Sequence, residues 1–231
     1  MKTIGLIGGM SWESSLEYYR MINELVQEKL GGYHSAKSIM ISVDFDEIEQ
    51  YQKKGQWEEA GKQLKDAAVK LERAGADFIV LCTNTMHKVA DAIEEGISIP
   101  FLHIADGTAN EIVEKGIHKI GLLGTKYTME QEFYISRLVE QFGLQVMVPE
   151  EKDREMVNRI IFDELVFGKV NENSREEYQR IIDKLVSQGA EGVILGCTEI
   201  TLLIKQENSP VPVFDTTYIH AKKAVEKALE N

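Results

Sequence analysis

The chain has 231 residues, 43% of them hydrophobic and 28% charged, with only 4 prolines. Such a chain buries a real core, which excludes a long disordered or low-complexity protein. With 26 Lys and Arg against 38 Asp and Glu, the net charge of −12 disfavours a phosphate backbone or an anionic membrane as main partner, so neither nucleic acid nor membrane is expected. A small anionic substrate stays open, because a local pocket can oppose the global charge. No apolar run approaches the ~18 residues of a membrane span. The opening Ile4-Gly5-Leu6-Ile7-Gly8-Gly9 leads into Met10-Ser11-Trp12-Glu13 rather than a cleavage site, so it reads as strand and turn, not as a signal peptide. Cys82 and Cys197 are the only cysteines, too few for a disulfide framework; a cytoplasmic protein with free thiols is expected.

Along the chain, apolar runs alternate with amphipathic stretches. Residues 3–8, 39–43, 78–82 and 100–103 read as short buried strands, and residues 120–123, 144–148, 193–196 and 211–214 repeat the order. Leu64, Ala68 and Leu71 before Gly75, and Ile181 and Leu185 before Gly189, mark helices that end at glycine. A last helix starts at Thr216. Strands alternating with helices imply parallel sheets. The halves align: Ile4-Gly5-Leu6-Ile7-Gly8 with Ile120-Gly121-Leu122-Leu123-Gly124, the segment from Gly75 to Thr83 with that from Gly189 to Cys197, and Pro100 with Pro212. The spacing drifts through 116, 114 and 112 residues, as small loop changes would produce. The predicted fold class is α/β: an internal duplication of a four-stranded, mainly parallel sheet flanked by helices. The expected lobes are residues 1–115 with 208–231, and residues 116–207. The final helix can cross back onto the first half, and the helix around residues 105–115 can cross in the other sense.

Ligands of open α/β sheets bind beyond the carboxyl ends of strands. The third strand of each half ends at Cys82-Thr83-Asn84-Thr85 and at Gly196-Cys197-Thr198-Glu199. If the halves face each other across a cleft, Thr83 and Cys197 stand on opposite walls. That arrangement suits inversion of a stereocentre, with a base on one face and an acid on the other. A thiol, with an unperturbed pKa of ~8.5, suits this work, and a helix start after Cys197 is expected to lower that value. Asn84, Thr85, Thr198 and Glu199 bring backbone N–H groups and side-chain donors to that place for a substrate carboxylate. Cys82 alternates to the other face and is expected in the core. Glu199 is read either as orienting Cys197, as holding a substrate ammonium, or as a first-turn helix acid. His87 is read either as orienting Thr83 or as a structural histidine.

These segments, with Met86-His87 after Thr85, resemble the paired signatures of the aspartate/glutamate racemase superfamily. The opening through Gly9-Met10-Ser11-Trp12-Glu13-Ser14 resembles its aspartate racemase branch. The resemblance runs nearly the whole chain and is closest to the L-aspartate/glutamate-specific amino-acid racemases with a Thr/Cys catalytic pair. It implies two Rossmann-like domains with the active site in the cleft between them, no cofactor (neither pyridoxal phosphate nor metal), a small amino-acid substrate and a homodimer. It implies that Thr83 and Cys197 are catalytic, that Asn84, Thr85 and Thr198 hold the α-carboxylate, and that Met10 and Gln52 reach the substrate from loops. Thr83 departs from the usual cysteine, and Glu199 from the histidine of the glutamate branch. The expected reaction is cofactor-independent interconversion of L- and D-aspartate or glutamate by two-base proton transfer at Cα.

Other readings are weaker. The first glycine cluster lacks the G-x-G-x-x-G spacing of a dinucleotide site, and no G-x-x-x-x-G-K-[ST] phosphate loop is present. His34, His87, His103, His118 and His220 show no paired metal-ligand spacing. Arg20, Lys53, Lys54 and Lys126 lie near loops that reach the expected cleft, but none is assigned to a distal substrate carboxylate. The alternatives are a one-cysteine decarboxylase or cis–trans isomerase of the same superfamily, and a non-catalytic amino-acid-binding module, which would need no thiol at Cys197.

Overall fold

The computed structural model describes residues 1–230. Each apolar run of the sequence forms a strand. The first unit, residues 1–103 with those from His220 on, contains β1 (Ile4–Gly8), α1 (Trp12–Leu30), β2 (Ser38–Ser42), α2 (Phe45–Lys53) and α3 (Trp57–Arg73). It continues through β3 (Phe78–Leu81), a short 3-10 turn at Thr85–Val89, α4 (Ala90–Glu94) and β4 (Phe101–Leu102). The second unit, Ile104–Ile219, contains α5 (Ile104–Glu114), β5 (Lys119–Gly124), α6 (Lys126–Glu130), α7 (Glu132–Phe142) and β6 (Gln145–Met147). Then follow α8 (Glu151–Asp163), α9 (Glu172–Ser187), β7 (Gly192–Gly196), α10 (Ile200–Leu203) and β8 (Val213–Asp215). The last helix, α11 (Thr216–Leu229), starts in the second unit and ends in the first.

The sheets run β2-β1-β3-β4 and β6-β5-β7-β8, every pair parallel. This is the predicted fold class, with the same strand order in both halves. The repeat extends to single hydrogen bonds. Ile79 N–H donates to the Pro100 carbonyl at 2.8 Å, and Val193 N–H to that of Pro212 at 2.9 Å. Asp77 N–H reaches Thr3 O, and Glu191 N–H reaches Lys119 O, both at 2.8 Å. Gly75 and Gly189, each just past a helix end, take φ of 96° and 101°.

The apolar pattern explains the layering. β1, β3 and β7 are buried along their whole length, as parallel strands covered on both faces must be. In the first unit Ile4, Leu6, Phe78, Val80 and Cys82 face α1 and α11, packing on Tyr18, Ile22, Val26, Ala221 and Val225. Ile7, Ile79 and Leu81 face the opposite way, onto Leu64, Ala68 and Leu71 of α3. Cys82 is therefore core, as its place in the alternation predicts. In the second unit Val193 and Leu195 pack with α8 and α9, while Ile194 and Phe214 pack with α5 and α7. Among the described residues no helix is long and apolar enough to cross a membrane.

The unit boundaries fall elsewhere than the lobes read from sequence. Residues 104–115 and 208–219 group with the second unit. The cause is packing. Ile104, Ala105, Ala109 and Ile112 of α5 bury against Ile120, Leu122 and Leu138, and β8 pairs with β7. Only the part of α11 from His220 on belongs to the first unit.

The turn from β1 to α1 is sterically closed at one residue. Gly9 has φ of 97°, and a Cβ there would lie 2.1 Å from the Val43 carbonyl. Gly75 has nearly the same φ but open space around it. Gly9→Ala should therefore cost about 3–5 kcal/mol, backbone strain plus overlap, and Gly75→Ala only about 1–2 kcal/mol, from strain. Urea unfolding of the two variants measures the difference; equal losses would refute the steric account.

Candidate active site

In the first unit the chain leaves β3 through Cys82 and Thr83. Three elements hold this corner. Thr83 N–H turns back to Leu81 O at 2.9 Å. Ser14, in the first turn of α1, donates its hydroxyl to Cys82 O at 3.0 Å. His87, on the 3-10 turn, is 2.8 Å from Thr83 O through Nδ1; a carbonyl only accepts, so Nδ1 carries the proton. Ser14 is itself fixed, because Ser11 caps α1 by accepting from Ser14 N–H at 3.2 Å. Ser15 Oγ accepts from Gly9 N–H at 2.7 Å and donates to Ser11 O at 2.9 Å, which ties the glycine turn to the helix.

Thr83, Asn84, Thr85 and His87 are all buried. Met10 and Gln52 are buried in the same unit, Met10 in one apolar cluster with Met86 and Ile48. Gln52 Nε2 lies 3.0 Å from Met86 Sδ, so the end of α2 reaches the 3-10 turn. The first unit thus brings Met10 and Gln52 together with the Thr83–Thr85 segment through Met86, which the sequence reading gave no role. His87, read as orienting Thr83 or as structural, is joined by two histidines to which the sequence reading assigns no role. The His87 ring lies 4.5 Å from that of His103 and 6.0 Å from that of His220, centroid to centroid. His220 Nε2 donates to Leu102 O at 2.8 Å, and its Nδ1 lies 2.8 Å from the Tyr18 hydroxyl. Tyr18 and His220 are 202 residues apart, so no local pattern could show the pair.

In the second unit β7 hands over to α10 through Cys197, Thr198 and Glu199, all buried. Cys197 continues the face of Val193 and Leu195 and is 7% exposed. Its thiol donates to Glu199 Oε2 at 3.0 Å, and the Thr198 hydroxyl donates to the same oxygen at 2.6 Å. The thiol contact supports the reading of Glu199 as orienting Cys197, and Glu199 also stands at the N-cap of α10. Thr201 donates its hydroxyl to Thr198 O at 2.8 Å. Behind the strand, Thr216 at the head of α11 donates to Leu195 O at 2.8 Å.

The expectation that a helix start lowers the Cys197 pKa is overturned. Burial pushes the thiol well above its ordinary value, and the neighbouring Glu199 carboxylate pushes the same way by charge and by hydrogen bond. The N–H groups of Glu199 and Ile200 pull it down, but less. α10 is a four-residue turn, with a correspondingly small dipole.

The cations near the loops are engaged at the surface. Arg20 is held by Glu17 and Glu24, Lys53 by Glu49, and Lys126 lies 3.5 Å from Glu155. None of these contacts adds a cation to the two strand ends.

Two parallel α/β sheets of one topology, each with hydroxyl or thiol groups beyond its third strand, define a duplicated α/β protein with polar chemistry at the carboxyl ends. The model of the Asp/Glu/Hydantoin racemase family matches residues 7–224. The chain belongs to that family. A putative Asp/Glu racemase from Yersinia pestis is 59% identical, with a TM-score of 0.94 over 100% of both chains. An aspartate racemase homologue from Pyrococcus horikoshii is 44% identical, with a TM-score of 0.88 over 100% of both chains. A broad specificity amino-acid racemase from Bacillus subtilis is 29% identical over 170 residues, 73% of this chain and 72% of that protein.

The raised thiol has a direct test. Alkylation needs the thiolate, so iodoacetamide should label Cys197 slowly at neutral pH and faster as pH rises. Glu199→Gln removes the negative neighbour and should move the rising limb to lower pH. Peptide mass mapping separates Cys197 from the fully buried Cys82. A limb that stays in place, or moves up, would rule out Glu199 as a cause of the shift.

Proposed function

We propose that the protein is a cofactor-independent amino-acid racemase that interconverts the L- and D-forms of aspartate and glutamate. The observation that carries this reading is the buried Cys197–Glu199 hydrogen bond at 3.0 Å, beyond the strand that repeats the one ending at Thr83. A small buried residue would not need a carboxylate at its thiol, since burying that carboxylate is costly. Family membership and the printed names of the relatives support the reaction class.

In this reading Asn84, Thr85 and Thr198 hold the substrate α-carboxylate, and Met10 and Gln52 line the side-chain end. Gln52 offers a neutral polar contact, which suits either acidic substrate. Glu199 takes the Cys197 proton and leaves a thiolate. The thiolate removes the Cα proton from one enantiomer, the Cα–H electron pair passes into the carboxylate as an enediolate, and Thr83 delivers its hydroxyl proton to the other face. The reverse direction uses the Thr83 alkoxide as base and the Cys197 thiol as acid. A threonine hydroxyl is far less acidic than a thiol, so the Thr83 step is the harder one. The working form is read as a homodimer, on the family resemblance, and as cytoplasmic, on its two free cysteines.

The test is α-proton exchange. The purified protein, with no cofactor added, is incubated with each enantiomer of glutamate and of aspartate in D₂O and followed by NMR and chiral chromatography. Loss of the Cα–H signal with appearance of the other enantiomer is expected, and both should vanish in Cys197→Ser. The equilibrium constant of a racemase is one, so kcat/KM is equal in the two directions. The inequality of the bases is read instead in deuterium entering the recovered starting enantiomer at low conversion. It should be greater for the enantiomer that meets Cys197, and equal entry would refute it. Exchange without inversion in the wild type would favour the one-cysteine alternative. Binding with no exchange, unaffected by Cys197→Ser, would favour the binding module.

A further inference from the structure

Thr83 carries the weaker acid–base group of the proposed pair, and its backbone is held by side chains from two different elements. The peptide carbonyl before it accepts from Ser14 at 3.0 Å, and its own carbonyl accepts from His87 at 2.8 Å. Its N–H is closed onto Leu81 O at 2.9 Å. The peptide groups on both sides of Thr83 are thus fixed, and with them the direction of its Cα–Cβ bond.

His87 is built to hold that place. It is buried, and its ring packs against Phe101 at 5.5 Å and His103 at 4.5 Å, centroid to centroid. Ser14 is held by the cap at Ser11. Neither contact is needed to form β3, which ends at Leu81 and is paired along its length with β1. Cys82 and Thr83 are both buried, so their carbonyls need protein partners, and here two side chains from different elements supply them instead of one shared backbone ladder.

We infer that Ser14 and His87 are positioning residues for Thr83, which act through its two flanking carbonyls to aim the hydroxyl at one face of the substrate Cα. This rests on the proposed racemase reading. A misplaced weak base loses rate steeply, because a displacement of about 1 Å can cost up to about a hundredfold.

The experiment compares wild type, His87→Leu, His87→Asn and Ser14→Ala, with Thr83→Ala as reference and circular dichroism as a check on folding. Asparagine can place its amide N–H near the position of Nδ1, whereas leucine fills the space and donates nothing. His87→Leu should lower kcat for inversion about tenfold in both directions, with KM changed less than about threefold. Deuterium entry into the enantiomer that meets Cys197 should stay within about twofold of wild type, as in Thr83→Ala, while entry into the other falls. His87→Asn should restore much of kcat. Ser14→Ala should act in the same direction, about threefold.

A second readout needs no turnover. The Thr83 methyl signal in a ¹H–¹³C spectrum should shift in His87→Leu and return toward wild type in His87→Asn. An unshifted methyl in His87→Leu, or equal slowing of exchange on both faces with no recovery in His87→Asn, would overturn the inference. Absence of exchange in wild type would overturn the racemase reading instead, and the methyl signal would still decide whether His87 positions Thr83.

Discussion

Parallel pairing is the constraint from which the candidate site follows. When every strand of a sheet runs the same way, all its carboxyl ends lie on one edge, and the loops that leave them must gather there. In the first unit this brings the β1–α1 turn beside the exit of β3, so that Ser14 can reach the carbonyl of Cys82 across 68 residues of sequence. In the second unit it brings the head of α11 to the exit of β7, where Thr216 meets Leu195. The chemistry sits where the fold leaves backbone groups without ladder partners. The side chains that satisfy those groups also fix the reactive residues.

Much of this was legible in the chain. Continuous apolar runs such as Ile4-Gly5-Leu6-Ile7-Gly8 mark strands buried on both faces, and the drift in the repeat is what two copies with altered loops must show. The alternation along β3 placed Cys82 in the core, and the match of Thr83 with Cys197 followed from the same repeat. Three kinds of feature were not legible. Cores that combine distant segments set the lobe boundaries, so α5, whose crossing was only one option in sequence, groups with the unit it packs in rather than the one it follows. The Tyr18–His220 and Ser14–Cys82 bonds depend on long-range geometry that no spacing reports. The direction of the Cys197 shift depends first on how deeply the thiol is buried and then on where one carboxylate points. A glutamate two residues on predicts nothing until its Oε2 is found 3.0 Å from the sulfur.

That carboxylate sets the electrostatics of the second unit's strand end. A buried thiol beside a carboxylate keeps its proton, because each disfavours the other's charge in a medium of low polarity. The Glu199 carboxylate accepts from both the Thr198 hydroxyl and the thiol itself. In the proposed mechanism, passing the proton from sulfur to this carboxylate makes a thiolate without releasing the proton to water. With burial, Glu199 raises the thiol pKa, yet in the proposed mechanism it is also the acceptor through which the thiolate forms. The two effects are consistent, since a proton shared over a short path need not be lost to water.

The two strand ends share a backbone plan and differ in chemistry. Ser11 caps α1 by accepting from Ser14 N–H, and Thr125 caps α6 by accepting from Thr128 N–H, so the duplication kept the turn after the first strand of each half. It did not keep the reactive groups. One end has a thiol coupled to a carboxylate, which can be charged by moving one proton. The other has a hydroxyl whose flanking peptides are clamped from two elements. A hydroxyl does not pass its proton fully to a neighbouring carboxylate, because its pKa lies too far above that of the carboxylate. It can gain from being held in line, since orientation lowers the barrier whatever the acidity. In the proposed reading the stronger acid is served by proton transfer and the weaker one by position, so that in each unit the residues around the strand end correspond to what its reactive group lacks.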